Sequence, residues 1–179
     1  SSSAMLFCVR KPGCFTLTVA QANQFLIVQK QAVSAMDWRP GLSKKDVQWW
    51  KWDTALMIDG SVPEGARVIL QWRPPVGAAS GKMNLTLLNR ELRVYGIDLD
   101  DAGRHSNKIG MGRPYWRKMI NTPAHEHTWS EEGYGYAEPL DHAPESPAEF
   151  FGRFCITTNL MLEGGFKPPP SQQLTLGLI

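Results

Sequence analysis

Nowhere in the 179 residues do 18 apolar side chains run together, so no membrane-spanning helix is expected. The opening "SSSAM", residues 1–5, lacks the charged start and long apolar core of a signal peptide and reads as a cloning remnant. Cysteine is scarce. Cys8, Cys14 and Cys155 are odd in number and show no C-x-x-C spacing, so a disulfide framework is not expected and a reducing cytoplasm is the expected setting. A Cys8–Cys14 pair across "KPGC" is the less favoured reading, and Cys155 in "FFGRFCI" reads as buried and inert. Charge imbalance is also missing: a net +2 does not by itself mark a nucleic-acid binder. There is no glycine-rich phosphate loop, since "GMGRP" lacks the next glycine and a helical context. There is no serine nucleophile elbow and no H-E-x-x-H.

What is present fits one domain over 1–179. Hydrophobic residues make up 42% of the chain, with seven Trp, while 16 Gly and 13 Pro provide turns without low complexity. "FTLTVAQANQFLIVQKQAVSA" predicts a first helix with Thr18 as cap and Gln21 three residues on, with Gln29 a polar interruption of its apolar stripe. After the Trp-rich "WWKWDTALMI", Ala66, Val68, Leu70 and Trp72 alternate in a half-buried strand that Pro74–Pro75 ends. "KMNLTLLNRELRVYGIDLD" predicts a hairpin turning at Asn89–Arg90, with Leu87 facing Leu92, Leu85 facing Val94 and a bulge at Gly96. "HEHTW" and "GYGYAEPL" add two short strands. "ESPAEFFGRFCITTNL" predicts a late helix with Ser146 as cap, Pro147 in its first turn and Glu149 closing the capping box. Residues 163–179 should run extended past Pro168–Pro170. The expected class is α+β: a mainly antiparallel sheet of about five strands with one N-terminal and one C-terminal helix.

The order "LTVAQANQFL", "MNLTLLNRELRVYGIDLD", "GRHSN", "PAHEHTW", "EGYGYAEPL" and capped helix, over residues 15 to 160, resembles a family of small bacterial and phage proteins of unknown function. Its members carry a hairpin, an H-x-N loop, an H-x-H strand, a G-Y-G segment and a late helix. Here "GRHSN" keeps the His and Asn, "HEHTW" keeps the paired His, and "KIGMGRPYWRKMIN" is a longer insertion. The resemblance implies a bacterial or phage origin, in a mobile element or defence system, and a compact fold. It implies no activity.

The chemistry centres on histidine. In a strand, His125, His127 and Trp129 share one face, and His105 can supply a third imidazole if its loop folds over. Three histidines with an open position suit zinc and an activated water. Without metal, His105, His125 and His127 suit acid–base cleavage of a phosphodiester, with Arg104 or Arg113 steadying the phosphate. "EHTW" is not the H-x-T pair of two-histidine phosphoesterases, because Thr128 adjoins His127 directly. The plainer alternative is structural, with both strand imidazoles hydrogen-bonded and packed near Trp129. No definite fourth ligand is visible, so no metal and no cofactor are expected. "DLDD", Asp98 to Asp101, reads as a solvated turn rather than a cation site.

Charge is segregated along the chain. From Ala102 to His125 there is no acid but Arg104, Lys108, Arg113, Arg117 and Lys118, interleaved with Tyr115 and Trp116. From Glu126 to Phe151 there is no base but seven acids: Glu126, Glu131, Glu132, Glu138, Asp141, Glu145 and Glu149. The two segments either screen one another or serve a partner. The expectation is a non-enzymatic, cytoplasmic binding protein docking a charged protein partner, with nucleic acid as the other partner and no membrane. The alternative is the phosphodiester-cleaving or nucleic-acid-binding protein using the histidines and the 104–118 segment.

Overall fold

The computed structural model of the chain describes residues 16–41, 47–78, 80–100 and 103–170. Two helices and eleven strands follow in the order α1 (Val19–Ile27), β1 (Lys30–Ala32), β2 (Arg39–Pro40), β3 (Trp50–Met57), β4 (Arg67–Arg73), β5 (Lys82–Asn89), β6 (Leu92–Leu99), β7 (His105–Ser106), β8 (Met119–Ile120), β9 (Ala124–Ser130), β10 (Gly133–Pro139), α2 (Pro147–Thr158) and β11 (Leu160–Met161). Nine of the strands form one sheet ordered β10-β9-β6-β5-β4-β3-β1-β11, with β2 on β3, and β7–β8 form a separate hairpin. Neighbours are antiparallel except β1 and β11. The expected α+β class with about five strands is therefore corrected to a mostly β fold. Among the described residues, no helix is long and apolar enough to cross a membrane.

Two physical causes account for the difference. The first helix is short: Thr18 and Gln21 make a full capping box, but Val28 is already extended and β1 begins two residues later. Lys30 ends the helix and begins the sheet. Its buried ammonium donates to the carbonyls of Leu26 (3.1 Å), Val28 (2.7 Å) and Thr158 (2.8 Å), closing the C-terminal ends of both helices at one point. The other cause is β3, where Trp52, Thr54 and Leu56 are buried in strict alternation beneath a run rich in Trp.

The β5–β6 hairpin is central, with Leu85, Leu87 and Val94 buried and Leu92 half-buried. Its turn is one residue later than the sequence suggests: Arg90 and Glu91 take φ of 51° and 62°, both on the positive side that a tight two-residue turn requires. Leu87 therefore pairs with Tyr95 and Leu85 with Ile97, and the extra residue is Val94 rather than Gly96. α2 packs against β5 and β6, where Tyr95 stacks on Phe154 at 5.8 Å. Ser146 caps α2 through the Glu149 N–H, while the Glu149 carboxylate accepts from Glu145 N, one residue before the cap. Of the C-terminal tail, residues 163–170 are described, and Phe166 stacks on Phe151 at 5.6 Å. Cys8, Cys14 and the 1–5 segment lie outside the described residues.

Candidate functional site

Strand alternation builds the site. Tyr95 and Ile97 face the core, so Gly96 and Asp98 face the other way, and their partners on β9 are His127 and His125. On the other side of β6, Asn84 pairs with Asp98 and donates Nδ2 to its Oδ1 at 2.7 Å. The β7–β8 hairpin brings His105 over this face. The three rings stand with centroids 4.7 Å (His105–His127), 4.9 Å (His125–His127) and 5.9 Å (His105–His125) apart.

Asp98 Oδ2 is the hub, 3.1 Å from His127 Nε2 and 3.7 Å from His125 Nε2. Burial alone would raise the Asp98 carboxyl, but the hydrogen bond and charge of His127 and the Asn84 amide hold it below the ordinary carboxylate value. Burial, reinforced by His127, pushes the imidazoles of His105 and His125 below their ordinary value, so both are neutral at pH 7. His125 and His127 are 5% and 8% exposed. Among the described residues, two buried ring nitrogens, His105 Nε2 and His125 Nδ1, have no hydrogen-bond partner. Neutral imidazoles beside a carboxylate are a donor set for a transition metal, and the same groups can pass a proton.

The hairpin is held by contacts that the sequence shows only in part. Asn107, the Asn of "GRHSN", is buried; its Oδ1 accepts from Ala137 N (2.7 Å) and its Nδ2 donates to Ala137 O (2.8 Å) and Tyr115 O (2.9 Å). One side chain thus pairs with the edge strand β10 as a strand residue does. Glu132 accepts from the backbone N–H groups of Gly110 and Met111. Gly110 lies flat on Tyr136, whose ring atoms come within 2.1 Å of where a Cβ would stand, and its φ of +90° also calls for glycine. Gly96 has the same kind of role: the Tyr134 hydroxyl occupies the place of its side chain, at 2.6 Å.

The structure brings His105, His125 and His127 together and adds Asp98, which the sequence reading placed in a solvated turn. The rest of "DLDD" differs, with Asp100 paired to Lys82 and Asp101 outside the described residues. Trp129 is not the neighbour of His127. Its indole N–H goes to the Leu17 carbonyl (3.1 Å) in the core, and Tyr134 stands beside His127 instead (6.0 Å). Arg113 donates to Thr128 Oγ1 (2.9 Å) and Trp129 O (2.7 Å) and covers the Tyr136 ring at 4.8 Å. Arg104, Lys108, Arg117 and Lys118 are exposed, and Tyr115 and Trp116 are half-buried. A groove of about 960 Å³ between α1 and the turns at Gly65 and Arg90–Glu91 contains none of these residues. Comparison with family models, with curated proteins and with solved structures finds no match, so the functional reading rests on the site's own geometry.

Proposed function

We propose that the chain is a non-enzymatic binding protein whose β7–β8 hairpin docks single-stranded nucleic acid. The observation that carries this reading is the state of four cations. Arg104, Lys108, Arg117 and Lys118 are exposed on one hairpin, and none is in an ion pair among the described residues. Three of the seven acids that could have screened them are employed differently. Glu126 accepts the Tyr95 hydroxyl, Glu132 binds backbone, and Glu149 serves α2. Four unscreened cations suit a row of phosphates, and Arg117 4.6 Å over the Trp116 ring adds a stacking element. Both strand imidazoles are buried, which favours docking over acid–base cleavage of a phosphodiester.

A second reading, an acidic protein partner, is favoured by Met111 and Met119, which stand 68% and 54% exposed on the same hairpin. On the family resemblance alone, we place either activity in a bacterial mobile-element or defence setting. Anisotropy titrations of labelled oligo-dT and oligo-U at low salt test the proposal. Binding that weakens in Arg117→Glu/Lys118→Glu supports it. No binding by the parent chain removes the nucleic-acid reading in favour of a protein partner.

A further inference from the structure

We propose that His105, His125, His127 and Asp98 bind one divalent transition-metal ion, zinc by the chemistry of its donors, and that the ion ties the β7–β8 hairpin to the sheet. One ring nitrogen from each histidine lies within 4.8 Å of the other two. Around a tetrahedral ion with metal–nitrogen bonds of about 2.0–2.1 Å, imidazole centroids stand about 5 Å apart. The observed separations of 4.7, 4.9 and 5.9 Å straddle that spacing.

Asp98 stands beside two of these histidines and can supply the fourth ligand. Neighbouring ligand atoms on such a tetrahedron are about 3.3 Å apart. Asp98 Oδ2 stands 3.1 and 3.7 Å from the Nε2 atoms of His127 and His125, one on either side of that value. Its other oxygen is taken by the Asn84 amide, which turns Oδ2 toward the histidines as an outer-shell partner does. Among the described residues, His105 Nε2 is buried without a hydrogen-bond partner, a position that a metal bond satisfies. Three nitrogens and one carboxylate favour zinc over calcium or magnesium, which prefer all-oxygen sites.

The consequence is mechanical. Asp98, His125 and His127 sit on β6 and β9, while His105 is the first residue of β7. An ion shared among them cross-links the hairpin to the sheet just beside Arg104, so the metal orders the basic surface. The site itself does not depend on what that surface binds.

The test is a titration of the full chain, stripped with chelator, with Zn²⁺ alone and with Co²⁺ as a coloured reporter. Expected are one equivalent bound, the visible absorption of tetrahedral cobalt, and a melting temperature that rises with Zn²⁺ concentration. His105→Ala, the partly exposed ligand, and Asp98→Asn should each weaken affinity about tenfold or more. His142→Ala, at an exposed histidine paired with Glu149, should leave binding unchanged. If His125→Ala does not fold, the other two variants still decide. Absence of stoichiometric binding by the parent overturns the proposal, and so does equal affinity in the parent and His105→Ala. All three readouts are free of nucleic acid, so failure here and failure of the docking reading are separable.

Discussion

Asp98 and His127 meet across β6 and β9 with Oδ2 3.1 Å from Nε2, although Asp98 pairs in register with His125. The same oxygen stands 3.7 Å from His125 Nε2, so its hydrogen bond goes to His127. In the metal-free protein, Asp98→Asn removes the charge and keeps the shape. The Asp98 side chain is 29% exposed, so the expected loss is about 1–2 kcal/mol, toward the low end for a hydrogen bond to a charged group. Urea unfolding of the two proteins checks it, and unchanged stability would mean that the carboxylate and imidazoles are independent.

Leu87 is fully buried at the centre of the sheet, opposite Tyr95. Leu87→Ala should cost about 2–5 kcal/mol. A loss under about 0.5 kcal/mol, the scale of a surface change, would contradict the register.

How much of this was legible depends on whether the signal is local. Thr18 with Gln21, and Ser146 with Pro147, announce their helices because capping is a contact between near neighbours. The alternation Ala66, Val68, Leu70, Trp72 likewise records a single buried face. The end of α1 was hidden because Lys30 is recruited by Thr158, 128 residues away. The Asn89–Arg90 turn was off by one because asparagine is the usual positive-φ residue, whereas here Arg90 and Glu91 are held there, with Glu91 N donating to the Gly65 carbonyl. For the site, the H-x-H spacing and the H-x-N loop identified all three histidines. Asp98 was missed because its role depends on sheet pairing between strands 29 residues apart. The charge blocks were visible, but only the fold shows that Glu126 meets a hydroxyl, Glu132 the backbone and Glu149 the start of α2.

Lys30 offers a test of the junction between helices and sheet. Replacing it with Met keeps the bulk but leaves the carbonyls of Leu26, Val28 and Thr158 without their donor. The expected destabilisation is about 2–4 kcal/mol, with loss of helical circular dichroism at lower denaturant. A neutral result would show that water replaces the ammonium at no cost.

Acid should act through Asp53, whose Oδ2 meets Lys51 Nζ at 2.6 Å and Arg67 Nη2 at 2.5 Å. Burial would raise its carboxyl, but the hydrogen bonds from Arg67 and Lys51 outweigh burial and lower it below 3.8. The folded state therefore holds its proton less tightly than the unfolded chain. The pair's stabilisation is fully present above the unfolded value and is lost as pH falls through the folded one. Asp53→Asn should show a shallower decline in stability below about pH 4; curves of equal steepness for parent and variant would exclude the pair as a cause.

The docking claim comes down to whether the four cations of the hairpin meet phosphates, and the salt dependence of oligonucleotide affinity reads that directly. Four contacts to a single strand predict a slope of log affinity against log salt of about −3, falling by roughly half in Arg117→Glu/Lys118→Glu. An affinity indifferent to salt, or a slope that the double variant leaves unchanged, would contradict the account.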